Sequence, residues 1–197
     1  MLEAEFGHGD ALGAGMPPFA AAAGIAGLLA PGDAVVHPAH GIGRFEARET
    51  QDLDGDRLDV LRLRFDERHL TLRVPVAKAG RSGLRLPMAS GTIGRVMAAL
   101  AGAPRASRAI WARRAIEFTA KVNSGDPMLV AEVVRDLGRH AERTDLPLGE
   151  RFLFEQAVQR LAAEIAEVEG ASRAAVSARI IAILAGRRAR GEAAGAA

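Results

Sequence analysis

A chain of 197 residues can form one large domain or two small ones, each with its own core, and a net charge of +2 is too small to imply a nucleic-acid partner by itself. The absence of cysteine excludes a disulfide framework, a thiolate nucleophile and a cysteine-based zinc site. No apolar run reaches the roughly eighteen residues of a membrane span, and no basic residue precedes the Ala-rich N-terminal patch, so the expectation is a cytoplasmic protein with no membrane partner.

The distribution of charge says more than its total. Lys78 and Lys121 are the only lysines, so arginine carries almost all positive charge. Residues Ala89 to Asn123 hold a net +5, whereas Asp126 to Gly170 hold a net −5. A basic segment beside an acidic one points to an anionic partner for the first.

Residues 1–30 are rich in Gly and Ala, contain Pro17-Pro18 and carry only acidic charges. They read as a mostly disordered tail with a short helix near Phe19 to Leu29. From Pro31 the period becomes two. Val35-Val36 starts a strand, and Gly41-Ile42-Gly43-Arg44-Phe45 follows a turn at Pro38. Asp54-Gly55 tolerates the positive φ of a type I′ turn and marks a hairpin. Beyond it Leu61, Leu63 and Phe65 alternate with Arg62 and Arg64, and Leu70, Leu72 and Val74 with Thr71 and Arg73. One apolar and one charged face per strand describes an antiparallel sheet over a small core, which a small barrel completes economically.

From Ser90 the period is 3.6. A short helix runs through Leu100, before Gly102 and Pro104. Ser107 is the candidate cap of a second helix reaching Val122, closed by Asn123-Ser124-Gly125. Asp126-Pro127 opens a third, with Val130, Val133, Val134 and Leu137 inward. Pro147 and Gly149 lead into a long fourth with Phe152, Val158, Leu161, Ile165 and Val168 inward. Ser172 caps a fifth with Val176, Ile180, Ile183 and Leu184 inward, fraying after Gly186. Strands followed by helices, without alternation, indicate an α+β multidomain chain. The expected units are an antiparallel β-barrel over 31–87, an all-α domain of about five helices over 90–186, and a flexible tail over 187–197.

These residues resemble the CarD family of bacterial transcription regulators. The run Gly32-Asp33-Ala34-Val35-Val36-His37-Pro38-Ala39-His40-Gly41-Ile42-Gly43 is similar to the opening of its polymerase-interacting domain, a Tudor-like β-barrel shared with transcription–repair coupling factors. Leu70-Thr71-Leu72-Arg73-Val74-Pro75 resembles the strand that contacts the polymerase β subunit. Trp111-Ala112-Arg113-Arg114, then Asn123-Ser124-Gly125-Asp126, then Ala131-Glu132-Val133-Val134-Arg135-Asp136-Leu137 resemble the helical DNA-binding half. The likeness covers about Gly32 to Glu169. Two departures stand out. His37 occupies a position where the family usually has tyrosine, and Gly138 one where it has an aromatic. Glycine inside a predicted helix costs about 1 kcal/mol relative to alanine.

The resemblance implies a partner surface on each half. Arg73, with Thr71, Arg62 and Arg64 nearby, becomes the RNA polymerase contact; spacing alone reads these as solvated strand residues, although an exposed edge strand also suits strand addition. Trp111 becomes an apolar wedge against the minor groove of promoter double-stranded DNA at the upstream edge of the bubble, stabilising the open complex. By spacing alone, Trp111 belongs to a core stripe with Ala115, Phe118 and Val122. Arg108, Arg113, Arg114 and Lys121 are candidate phosphate ligands, which position a protein without reading sequence; their plainer reading is a solvated helix face. Two alternatives stay open: a polymerase-binding adaptor that does not touch DNA, and an autonomous architectural DNA-binding protein.

Nothing points to an enzyme. His37 and His40 lack a third metal ligand, Gly41-Ile42-Gly43 is too short for a dinucleotide fingerprint, and the carboxylates between Asp52 and Asp59 solubilise a hairpin. No catalytic residue, metal, cofactor or small-molecule substrate is expected.

Overall fold

The computed structural model of the chain describes residues 25–53, 56–105, 109–138 and 147–195. The N-terminal tail expectation (up to residue 24), the Asp54-Gly55 turn, Ser107 and Arg108 lie outside the described residues.

The alternating segment forms four antiparallel strands, β1 (Ala34–His37), β2 (Gly41–Leu53), β3 (Asp56–Phe65) and β4 (Leu70–Pro75), paired in the order β1-β2-β3-β4. The sheet curls into a Tudor-like half-barrel. Leu53 pairs with Asp56 at the closed end of the β2–β3 hairpin. A bulge between Phe45 and Ala47 shifts the β2 register, which lets one long strand follow the curl. Phe45, Leu61, Leu63, Phe65 and Val35 fill the inner face, joined by Ala26 and Leu29 from ahead of Pro31. Gly43 is required there: a Cβ would sit 2.6 Å from the Phe65 ring. Arg85 exchanges two main-chain hydrogen bonds with Val36 and so covers the outer edge of β1. Among the described strands, β4 pairs on one side only.

Five α-helices follow: α1 (Ser90–Ala101), α2 (Trp111–Val122), α3 (Pro127–Leu137), α4 (Leu148–Glu169) and α5 (Arg173–Gly195). Asp126 caps α3 by accepting the Met128 N–H at 2.8 Å, with Pro127 at the first helical position. Gly170 ends α4 with φ +64°, and Ser172 caps α5 by accepting the Ala175 N–H at 3.2 Å. Their apolar stripes share one core, including Val96, Leu100, Phe118, Leu137, Leu161, Ile165 and Leu184.

The structure departs from the expectations at several points. α2 starts at Trp111, with Ile110 in the cap position. Phe152 faces solvent, and Leu153 and Phe154 turn inward instead. α5 extends to Gly195, and within it Arg187 is buried and donates to the Gly102 and Arg135 carbonyls at 3.2 and 3.3 Å. Gly138 stands at the end of α3, not inside it, where a Cβ would meet a Leu184 methyl at 2.7 Å. Leu184 of α5 fills the space that an aromatic at 138 would need.

Candidate polymerase and nucleic-acid surfaces

The register of β3 with β4 sets Arg62 opposite Arg73 and Arg64 opposite Thr71. Because side chains alternate across a strand, all four lie on the face opposite Leu61, Leu63 and Phe65. Carboxylates of β2 thread between them. Arg73 reaches Glu49 at 3.4 Å, Glu49 also pairs with Arg62, Arg62 reaches Glu46 at 2.8 Å, and Arg64 lies 3.4 Å from Glu46 and 2.8 Å from Asp66. The result is an alternating ladder of charge running across the sheet. Arg73 ends it, with a long contact and a side chain 50% exposed. Beside it run the main-chain groups along the outer edge of β4. Glu46 and Glu49 escaped the sequence reading because the bulge hides which face of β2 they occupy.

On the helical half, Trp111 is partly buried: its indole packs against the core and against Gly149 of α4, where a Cβ would lie 3.6 Å from Nε1. Arg114, one turn on, lies over both the Trp111 and Phe118 rings at 5.7 and 5.5 Å from their centroids. Its guanidinium is 3.6 Å from Glu150, and its side chain is 13% exposed. Lys121 donates to Glu132 at 3.0 Å and pairs with Glu117 at 3.3 Å. Burial opposes its charge, but the two carboxylates outweigh burial and raise its pKa. Arg113 is exposed. The basic segment is therefore less basic in space than in sequence, since Glu150 and Glu132 arrive from α4 and α3. Of the five residues predicted to face DNA, Trp111 and Arg113 present open surface, Arg114 and Lys121 are held in internal pairs, and Arg108 lies outside the described residues.

A third cluster joins the halves, and spacing gave no sign of it. Arg85 binds Glu164 of α4 through both terminal nitrogens, at 2.5 and 2.8 Å, and donates from Nε to the Gly125 carbonyl at 2.7 Å. The Met88 N–H also donates to Glu164, at 2.8 Å. Arg44 makes a similar fork to Glu167 at 2.8 and 2.7 Å. Arg160 donates to the carbonyls of Pro38 and Ala39, and burial, with Arg68 beside it, lowers its pKa. His37 and His40 stack here with centroids 4.7 Å apart, next to Phe65. Burial first, then His40 and Arg160, push the His37 pKa down to about 4. Among the described residues, no group of three or more His, Asp or Glu could hold a metal ion, and no helix is long and apolar enough to cross a membrane.

Residues 29–86 match the family described as "CarD-like/TRCF RID domain", and residues 95–181 match "CarD, C-terminal domain". The first match covers the half-barrel, and the second covers most of the helical half. The chain is also 26% identical over 139 residues to YdeB of Bacillus subtilis (strain 168), whose name describes a candidate transcription factor. That alignment spans 71% of this chain and 91% of the relative.

Proposed function

This chain belongs to the CarD family of transcription regulators, and we propose that it holds the RNA polymerase β subunit with one half and promoter DNA with the other. The β4 edge is the polymerase contact: Arg73 and Thr71 meet the β subunit, Arg62 and Arg64 back them through the charge ladder, and the outer main chain of β4 is available for strand addition. The α2–α4 end of the helical half lies in the minor groove at the upstream edge of the melted region. Trp111 is the observation that carries this reading, because its indole packs on the core yet stays partly exposed at the start of α2. A wedge must be stiff as well as apolar, and Arg114 stiffens it from behind. Arg113 and Arg108 reach phosphate, whereas Lys121 and Arg114 keep α2 in place, so little base specificity is expected.

Neither contact has to be tight. Attachment to polymerase raises the local concentration of the DNA-facing surface. Preference for the open promoter over the closed one shifts that equilibrium by the difference in affinity and no more. The test is the lifetime of promoter open complexes with matched polymerase. Wild type lengthens it, and Trp111→Ala and Arg73→Ala each abolish the effect, while Arg73→Ala leaves binding to free DNA intact. A Trp111→Ala protein that behaves like wild type removes the wedge.

The internal pairing of Arg114 and Lys121 favours a second reading, a polymerase-binding adaptor that leaves DNA alone. Trp111 emission separates the two. Quenching by duplex DNA supports contact, and unchanged emission supports the adaptor.

A further inference from the structure

Among the described residues seven large apolar side chains are exposed, and three of them stand at the N-terminal ends of α2 and α4, which approach each other at Trp111 and Gly149. Ile110, 74% exposed, immediately precedes Trp111. Leu148, 84% exposed, precedes Gly149, the residue on which the indole rests. Phe152, 66% exposed, lies one turn further along α4 on the flank of Gly149. The fold gains nothing from these positions, because apolar surface stabilises only when it leaves water. An apolar patch gathered from two helices marks a surface made to be covered.

We propose that Leu148 and Phe152 of α4, with Ile110, extend Trp111 into a two-helix apolar plate that takes an opened base step of promoter DNA from the minor-groove side. This rests on the reading that Trp111 faces DNA and adds the residues that share its load. Two observations select the occupant. The apolar types are those that minor-groove proteins insert between base steps, namely Phe, Leu and Ile, and a cation flanks them. Arg151, one turn from Leu148 on α4, is exposed and pairs with Glu155 at 2.9 Å, an exposed pair that contributes little and that a phosphate can displace. A second copy of the chain suits the patch less well. A two-fold contact would set the same arginine rim against itself.

The experiment measures binding of the full chain to a fluorescein-labelled duplex containing a premelted A·T-rich bubble, and to the same duplex fully paired. The proteins are wild type, Leu148→Ala/Phe152→Ala and Trp111→Ala, with thermal melting as the folding control and sedimentation at the working concentration. The double variant melts like wild type, since both side chains are exposed. It loses about tenfold in affinity for the bubble, the scale set by uncovering large apolar side chains, and much less for the paired duplex. If Trp111→Ala weakens bubble binding and the double variant does not, the plate is overturned and the wedge reading survives. If neither substitution matters, both fall together. A wild-type dimer that the double variant converts to monomer makes the patch an interface between copies and overturns the proposal. Loss of polymerase binding with DNA binding unchanged overturns it in favour of a protein partner.

Discussion

The half-barrel and the helical half use arginine in opposite ways. On the sheet, Arg62, Arg64 and Arg73 stand on the outer face and alternate with Glu46 and Glu49 of the neighbouring strand, so each charge meets its partner at the surface. In the helical half, three arginines point inward. Arg114 covers two aromatic rings and meets Glu150, Arg135 pairs with buried Asp136 at 2.7 Å, and Arg187 donates to the carbonyls that end α1 and α3. Strands place cross-strand partners in register, whereas helices bring together residues far apart in sequence and can bury what they pair. A cation count along a helical segment therefore overstates the charge that a partner meets.

The contrast can be broken by measuring what each arginine does for stability. The largest effect belongs to Arg85→Ala, which leaves Glu164 buried with an unmatched charge and unties α4 from the sheet; we expect a loss of about 3 kcal/mol in chemical denaturation. A loss below about 1 kcal/mol would mean that the two halves do not lean on this pair. Arg114→Ala follows at about 2 kcal/mol, since Glu150 is buried and Trp111 loses its backing.

Third comes a pH effect at the junction. His37 stays neutral in the folded chain down to about pH 4, whereas an unfolded histidine titrates near 6.5. Between those values the unfolded chain binds a proton that the folded one refuses. Stability is complete above about pH 6.5 and declines as pH falls towards 4, by about 1 kcal/mol once solvent screening of a half-buried ring is allowed for. His37→Tyr, which restores the residue usual in the family, should flatten urea midpoints across that window; an unchanged slope would place the acid sensitivity in other groups. The smallest effect is Arg73→Ala, within about 0.5 kcal/mol because its partner is distant and its side chain half exposed. A large loss there would erase the distinction between the two halves.

The sheet was legible because period-two alternation survives without knowledge of tertiary packing; Leu61, Leu63 and Phe65 point where the pattern places them. The cap at Asp126-Pro127 was legible for the same local reason. Phe152 was misread because Leu153 and Phe154 follow it, and three adjacent apolar residues cannot all face one side of a helix. The same error concealed the apolar surface beside Trp111. Glu150 as the partner of Arg114, Glu132 as that of Lys121, and the whole junction of Arg85, Glu164 and Arg160 depend on how helices meet, which no period encodes.

Gly138 and Leu184 share one volume. A Cβ at 138 would come within 2.7 Å of a Leu184 methyl, the far end of a flexible side chain, so any residue larger than glycine there requires that methyl to move. Installing a large ring at 138 therefore displaces the Leu184 side chain, and shortening Leu184 eases that change. Although they stand in different helices, the two positions behave as a single site with two spellings.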